Sequence, residues 1–287
     1  MTASAAAHCR GGSEKGNQVT RIALIGATGR MGAAIVRACV AAGAPQIVVA
    51  VASAGSKSAG VDVGELAGVK PIGVRVSGEL PADLGKADVA IDFSRPEQSV
   101  HALEVCRAAR VPLVIGTTGH DAQFDARVAS AAREVAVLVA PNTSIGIAVI
   151  RELVSLAAKA LPAEFEIEIT EAHHKHKMDA PSGTALALAD SAARARGLDA
   201  HTDVEAGRTG QGVRKAGGIG IASVRAGDIV GNHEVLFAGP GERITIGHEA
   251  TDRSIFASGA LRAALWLAVQ KAGRYTMADV LGLKTIG

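Results

Sequence analysis

The chain has 287 residues, 48% hydrophobic and 20% charged, with 30 Lys plus Arg against 28 Asp plus Glu for a formal charge of +2. At roughly 150 residues per domain this allows two domains, with enough apolar side chain to exclude disorder along the whole chain. Balanced charge and 2% aromatic content exclude broad nucleic-acid binding. No apolar run approaches the roughly 20 residues that a membrane span requires.

Residues 1–18 form a polar, small-residue leader without the apolar stretch of a secretory signal, and are expected to be disordered. From Val19 strands alternate with helices. Arg21 to Ile25 is a short apolar run, Gly29 to Ala42 carries apolar residues at helical spacing, and Ile47 to Val51 is a second β-branched run. Asp88 to Phe93, Pro112 to Ile115 and Val135 to Val139 are further strands, with helices over Pro96 to Ala109 and Asp121 to Arg133 between them. This rhythm predicts an α/β, doubly wound, Rossmann-like parallel sheet over residues 19–143.

After Asn142 the rhythm changes. A helix over Ile147 to Leu161 precedes Glu164 to Thr170, where Phe165, Ile167 and Ile169 alternate with Glu164, Glu166 and Glu168, as in a strand with one wet face. A helix starting near Ser182 and a Gly-rich stretch, 207–220, follow. Strands are then expected at Ile219 to Val224, Ile229 to Phe237 and Arg243 to His248, joined by short turns that suggest antiparallel pairing. Residues 144–252 are thus expected to form a second, α+β domain on a mixed or antiparallel sheet. An apolar helix over Ser254 to Ala272 returns in residues 253–287 to complete the first domain.

Gly26-Ala27-Thr28-Gly29-Arg30-Met31-Gly32 closes the first strand and opens the first helix. Glycines there permit a tight turn and close backbone approach, and a helix N-terminus offers free N–H groups to a pyrophosphate. This points to a dinucleotide. The acidic residue that would bind a ribose 2′-hydroxyl is missing: Ala52 and Ser53 stand at the end of the second strand. Without that carboxylate a 2′-phosphate meets no repulsion, so NADPH is expected to serve at least as well as NADH, with Arg30 and Lys57 as candidate phosphate partners. Gly116-Thr117-Thr118-Gly119 and Ala140-Pro141-Asn142-Thr143 also follow strands, where such folds place ligands.

The densest chemistry lies in Glu171-Ala172-His173-His174-Lys175-His176-Lys177-Met178-Asp179-Ala180-Pro181-Ser182-Gly183-Thr184, which holds three of the nine histidines within four residues. A histidine exchanges protons near neutral pH, and a neighbouring lysine adds a fixed charge. Ser182 can cap a helix whose Gly183 and Thr184 amides are free to hold a carboxylate or phosphate. Together these residues describe a pocket for a small anion. A metal site on His173, His176 and Asp179 is a competing reading, opposed by Lys175 and Lys177; a solvated basic loop is another. Cys9, Cys39 and Cys106 are odd in number and widely spaced, which fits a reducing cytoplasm, with Cys39 and Cys106 as core residues.

With Asp92-Phe93-Ser94-Arg95-Pro96 and Arg225-Ala226-Gly227-Asp228-Ile229-Val230-Gly231, these motifs resemble the dihydrodipicolinate (4-hydroxy-tetrahydrodipicolinate) reductase family from about Val19 onward. The resemblance implies NADH- or NADPH-dependent reduction of a cyclic dicarboxylate with loss of water, in lysine and diaminopimelate synthesis, by a homotetramer. It makes His173 the acid/base, Lys177 the proton donor and His174 a substrate contact, with Gly183 and Thr184 holding a carboxylate. Gly26, Ala27, Thr28, Gly29, Arg30, Met31, Gly116, Thr117, Thr118, Ala140, Pro141, Asn142 and Thr143 would contact the cofactor, and no metal is implied. Many members carry an acidic residue where Ala52 stands, and some an arginine at Ser53. A nicotinamide-sensing binding protein without catalysis is the alternative; it would need the glycine loop but not the histidine cluster.

Overall fold

A computed structural model describes residues 19–80, 84 and 86–283; the leader and Cys9 lie outside the described residues. Among those described, β1 (Arg21–Ile25), β2 (Gln46–Val51), β3 (Val76–Ser77), β4 (Val89–Asp92), β5 (Leu113–Ile115), β6 (Ala136–Val139) and β12 (Gly273–Tyr275) form one sheet. Its order is β12-β6-β5-β4-β1-β2-β3, and every pairing is parallel. Strands covered on both faces need apolar residues at consecutive positions, as in the fully buried Leu113–Ile115. One face packs on α1 (Arg30–Ala42), α2 (Val63–Leu66) and α7 (Ser254–Leu267). The other packs on α3 (Pro96–Ala109) and α4 (Phe124–Ala131). Cys39 and Cys106 are buried in these helices. Strand order reverses between β1 and β4, which opens a crevice beyond their carboxyl ends.

The second sheet holds β7 (Glu166–His173), β8 (Val204–Ala206), β9 (Ile219–Arg225), β10 (Gly231–Gly239) and β11 (Glu242–Ala250), in the order β11-β10-β7-β9-β8. One face is covered by α5 (Ile145–Ala160) and α6 (Gly183–Arg196), with Ile167, Ile169, Leu188 and Phe237 in the shared core. The pairing is mixed. β10 runs antiparallel to β7 and β11, while β9 runs parallel to β7 and β8.

Three expectations need correcting. The short turn at Ala226-Gly227-Asp228 does not join paired strands, because β7 lies between β9 and β10. The turn passes over the end of β7, where Ala226 N donates to the His173 carbonyl at 2.9 Å. The helix expected over Ser254 to Ala272 ends at Leu267, after which β12 and α8 (Met277–Val280) follow. Val269, which prolonged the apolar pattern, is 81% exposed beyond the helix. Finally, the Asp121 carboxylate accepts from Gln123 N at 2.9 Å in a side-chain turn, and the helix starts only at Phe124.

Candidate active site

The glycine loop is built by close backbone contacts. Gly26 has φ +81°, and a Cβ there would stand 2.3 Å from the Phe93 carbonyl oxygen. A Cβ on Gly32 would stand 2.5 Å from the carbonyl oxygens of both Gly26 and Ala27. The N–H groups of Gly26 and Ala27 donate to the Val51 carbonyl, each at 2.9 Å. Gly29 is the N-cap of α1 with no side-chain cap, so the first-turn amides of Arg30, Met31 and Gly32 have no acceptor among the described residues. Thr28, Gly29 and Arg30 are exposed. Ala52 is buried, its carbonyl accepting from Gln98 Nε2 at 3.2 Å, whereas Ser53 and Lys57 are exposed.

Asp92, fully buried at the end of β4, ties the neighbouring loops together. Thr117 Oγ1 donates to its Oδ2 at 2.8 Å, and Ser94 N donates to its Oδ1 at 3.0 Å. The Phe93 ring packs over Gly116, where a Cβ would stand 2.1 Å from a ring carbon.

The histidine cluster starts inside a strand. In β7 the buried face runs Ile167, Ile169, Glu171, His173, so the apolar side of the alternation ends in a carboxylate and an imidazole. Glu171 is satisfied by Arg225 opposite, whose Nη1 and Nη2 donate to Oε2 and Oε1, both at 2.8 Å. Ser182 N adds a third bond to Oε1 at 3.1 Å, and His173 Nδ1 lies 2.6 Å from Oε2. Burial works to raise the Glu171 carboxyl; the bonds from Arg225, Ser223 and His173 overcome it and hold it at about 2. Burial lowers the His173 imidazole despite Glu171, with Lys177 and Arg225 acting in the same sense. A neutral His173 therefore keeps its proton on Nδ1, facing the carboxylate, and its lone pair on Nε2.

His233 on β10 lies edge-on to His173, ring centroids 5.1 Å apart, with Nε2 3.1 Å from Ser182 Oγ. Ser182 Oγ also accepts from Ala185 N at 3.1 Å, capping α6. The Gly183 and Thr184 amides have no acceptor among the described residues, and the space above Gly183 is open.

A cleft of about 640 Å³ between the two sheets joins His173, Lys177, Gly183 and Thr184 to Thr118 and to Ala140, Pro141 and Asn142. Lys177 Nζ pairs with Asp179 Oδ1 at 2.8 Å. Asn142 Nδ2 donates to Thr184 Oγ1 at 3.0 Å, linking the end of β6 to α6. Thr117 and Thr118 line a neighbouring cleft of about 470 Å³ that shares Pro141 and Gly183. Four groups of expected residues fall outside both clefts. Gly26 to Met31 stand at the crevice of the first sheet, and Gly116 lies under Phe93. Thr143 is buried with Oγ1 donating to the Phe256 carbonyl at 2.7 Å, and His174 has its Nδ1 buried without a hydrogen-bond partner among the described residues. Among the described residues no group of three or more His, Cys, Asp and Glu is placed to hold a metal ion. Glu171 and His233 escaped sequence reasoning, although continuing the alternation from Ile169 by two and four residues reaches Glu171 and His173.

Two family models match, described as dihydrodipicolinate reductase, N-terminus, over residues 20–143, and dihydrodipicolinate reductase, C-terminus, over residues 146–281. A 4-hydroxy-tetrahydrodipicolinate reductase of Methylococcus capsulatus is 47% identical, covering 93% of this chain and 99% of its own. Another, of Alkalilimnicola ehrlichii, is 49% identical, covering 92% and 99%. The solved structure of a dipicolinate-bound dihydrodipicolinate reductase from Paenisporosarcina sp. TG-14 superposes with a TM-score of 0.70 at 27% identity, over 91% of this chain and 99% of that one. An amine dehydrogenase from Mycobacterium smegmatis, at TM-score 0.55 and 14% identity over 91% and 96%, shares the fold alone. On both halves of the chain, the family models and the close relatives agree: the chain belongs to the dihydrodipicolinate reductase family.

Proposed function

We propose that the chain reduces 4-hydroxy-tetrahydrodipicolinate to tetrahydrodipicolinate with loss of water, using NADPH or NADH, in lysine and diaminopimelate synthesis. The observation that carries this reading is the cleft in which an imidazole, an ammonium and two free helix amides converge between the sheets. A six-membered ring with two carboxylates fits those groups, and the dipicolinate held by the Paenisporosarcina relative carries the same pair of carboxylates.

The glycine loop fits a dinucleotide. Its backbone cradle has no room for a Cβ at Gly26 or Gly32, and the uncapped start of α1 offers amides to a pyrophosphate. Gly26 to Met31 would hold the pyrophosphate end, with Thr117, Thr118 and 140–142 along the remainder. The bound coenzyme supplies the hydride. Ala52 leaves a 2′-phosphate unopposed, so NADPH serves at least as well as NADH.

The chain's own residues bind the substrate and handle protons. The Gly183 and Thr184 amides take one carboxylate at the positive end of α6. His173 Nε2 is the atom at which a proton is taken and returned, and Glu171 stabilises the imidazolium while it exists. Lys177, held by Asp179, presents an ammonium to the ring and donates the second proton. A cleft between two domains can close to exclude water from the reacting atoms. Assembly as a homotetramer and a cytoplasmic location belong to the same reading. The uncovered face of the second sheet, where Val224 is 45% exposed, supports assembly, and among the described residues no helix is long and apolar enough to cross a membrane.

The test follows loss of near-ultraviolet absorbance from NADPH, and separately NADH, with substrate made in situ from pyruvate and aspartate semialdehyde. Oxidation that requires both this chain and the condensation product is expected. His173→Ala should lower kcat by about 10²–10⁴-fold with coenzyme affinity intact. Coenzyme binding without turnover in the folded wild-type protein would replace this reading by the sensor.

A further inference from the structure

We propose that Glu171 is a positioning residue that aligns the two halves of the substrate site, the His173 imidazole and the Gly183–Thr184 amides, from one buried carboxylate. The inference rests on the reductase reading and extends the part that Glu171 plays in it.

Each oxygen of the carboxylate serves a different half. Oε2 receives His173 Nδ1 at 2.6 Å, which fixes the ring's orientation and puts its remaining lone pair on Nε2. Oε1 receives Ser182 N at 3.1 Å, which fixes the N-cap of α6 and so the direction of the two amides that follow. Arg225 holds both oxygens in one plane with its paired bonds of 2.8 Å, so neither can turn without breaking the other's contact. A carboxylate with no exposed side-chain surface survives only because these partners are present.

The surroundings leave Nε2 free. No hydrogen bond reaches it among the described residues, and Gly231 opposite would bring a Cβ to 3.0 Å of it. The charged and titratable groups facing the ring are Glu171 from β7, Arg225 from β9, His233 from β10 and Lys177 from the loop after β7. Glu171 is the single anion among these four.

The decisive substitution is Glu171→Gln, which keeps the shape but turns an acceptor into an amide that donates. A donor facing Nδ1 forces the proton onto Nε2, the tautomer that cannot accept a proton from substrate. Removing the anion also lowers the pH at which the ring protonates. Glu171→Asp keeps the charge on a shorter arm and serves as the second variant should the first not fold.

Two measurements separate positioning from bulk stability. Carbethoxylation of His173, followed by mass spectrometry across pH in the resting protein, reads the ring's own titration and needs no turnover. Its midpoint should fall by about one pH unit or more in Glu171→Gln, and by less in Glu171→Asp. Steady-state kinetics should show kcat lowered by about 10²-fold or more, with NADPH affinity unchanged. Dipicolinate, the probe for the amides, should bind several-fold more weakly in Glu171→Gln. A folded Glu171→Gln with the wild-type midpoint, kcat within about threefold and unaltered dipicolinate affinity would overturn the assignment. Loss of dipicolinate affinity with the midpoint unmoved would also overturn it, since the carboxylate would then serve one half alone. If the wild-type protein proves not to reduce the substrate, the carbethoxylation and dipicolinate results still decide the role of Glu171.

Discussion

Gly32→Ala tests the coenzyme cradle by geometry alone. The new methyl carbon would lie 2.5 Å from the carbonyl oxygens of Gly26 and Ala27, and ordinary contact begins near 3.4 Å. The loop must therefore retreat by about 0.9 Å. Both opposing atoms are backbone, and Gly26 and Ala27 are anchored to the Val51 carbonyl, so no side chain can turn aside to make room. In the unliganded protein the loop is free of ligand contacts and part of the shift is taken there, at some cost in stability because both opposing atoms are backbone. Binding draws the loop back to its original path, and the strain then appears in the dissociation constant. Overpacking of this kind costs about 1–3 kcal/mol, which at tenfold per 1.4 kcal/mol is roughly 5- to 150-fold in coenzyme affinity. The assay is fluorescence titration with NADPH, beside thermal unfolding and dipicolinate calorimetry as controls on the rest of the molecule. An NADPH affinity within twofold of wild type would refute the cradle. So would a large loss of thermal stability with affinity intact, because the strain would then be borne by folding.

Two further outcomes follow from buried ionisable groups. Burial and then the charge of His173 press His233 down to about 4 from its ordinary 6.5, against Glu171. The unfolded chain thus takes up this proton first, so stability present above pH 6.5 declines as pH falls towards about 4. Glu171 adds a second decline between its ordinary 4.5 and about 2. Urea unfolding across this range should show His233→Gln flattening the first decline and leaving the second; an unchanged profile would exclude His233 as its source. Asp92→Ala removes the acceptor joining Ser94 to Thr117 and should weaken NADPH binding by about tenfold or more by calorimetry. Dipicolinate affinity measured without coenzyme should not change.

Fold legibility followed burial. β1, β4 and β5 are covered on both faces, so their apolar runs carried enough signal to predict a parallel sheet. β3, β8 and β12 span two or three residues each, and what makes them strands is a neighbour already in place: Val51 for Ser77, Ile219 for Val204, Leu138 for Tyr275. A pattern read along the chain cannot contain that information. The turn at 226–228 failed for a related reason. A short connection is compatible with a hairpin or with a step over one strand, and here β7 had already filled the intervening place between β9 and β10.

The site divides along the same physical line. His173, Lys177, Gly183 and Thr184 were legible because they are crowded into one stretch of chain whose histidines, lysines and helix start have no shared structural purpose. Glu171 sits in that stretch and escapes notice, because the expected strand stops at Thr170 and a charged side chain is not assigned to a buried face unless a partner compensates its burial. The partner is Arg225, 54 residues away, and the β7–β9 register that sets Arg225 opposite His173 is fixed by pairing rather than by either segment alone. A buried carboxylate without such a partner would unfold the strand or take up a proton, so its presence on the apolar face implies a guanidinium or ammonium close by. The inference can run in reverse. When the buried face of a strand ends in an ionised carboxylate two residues before a histidine, a cationic partner must come from another segment, and the histidine beside that carboxylate has its tautomer chosen by the fold.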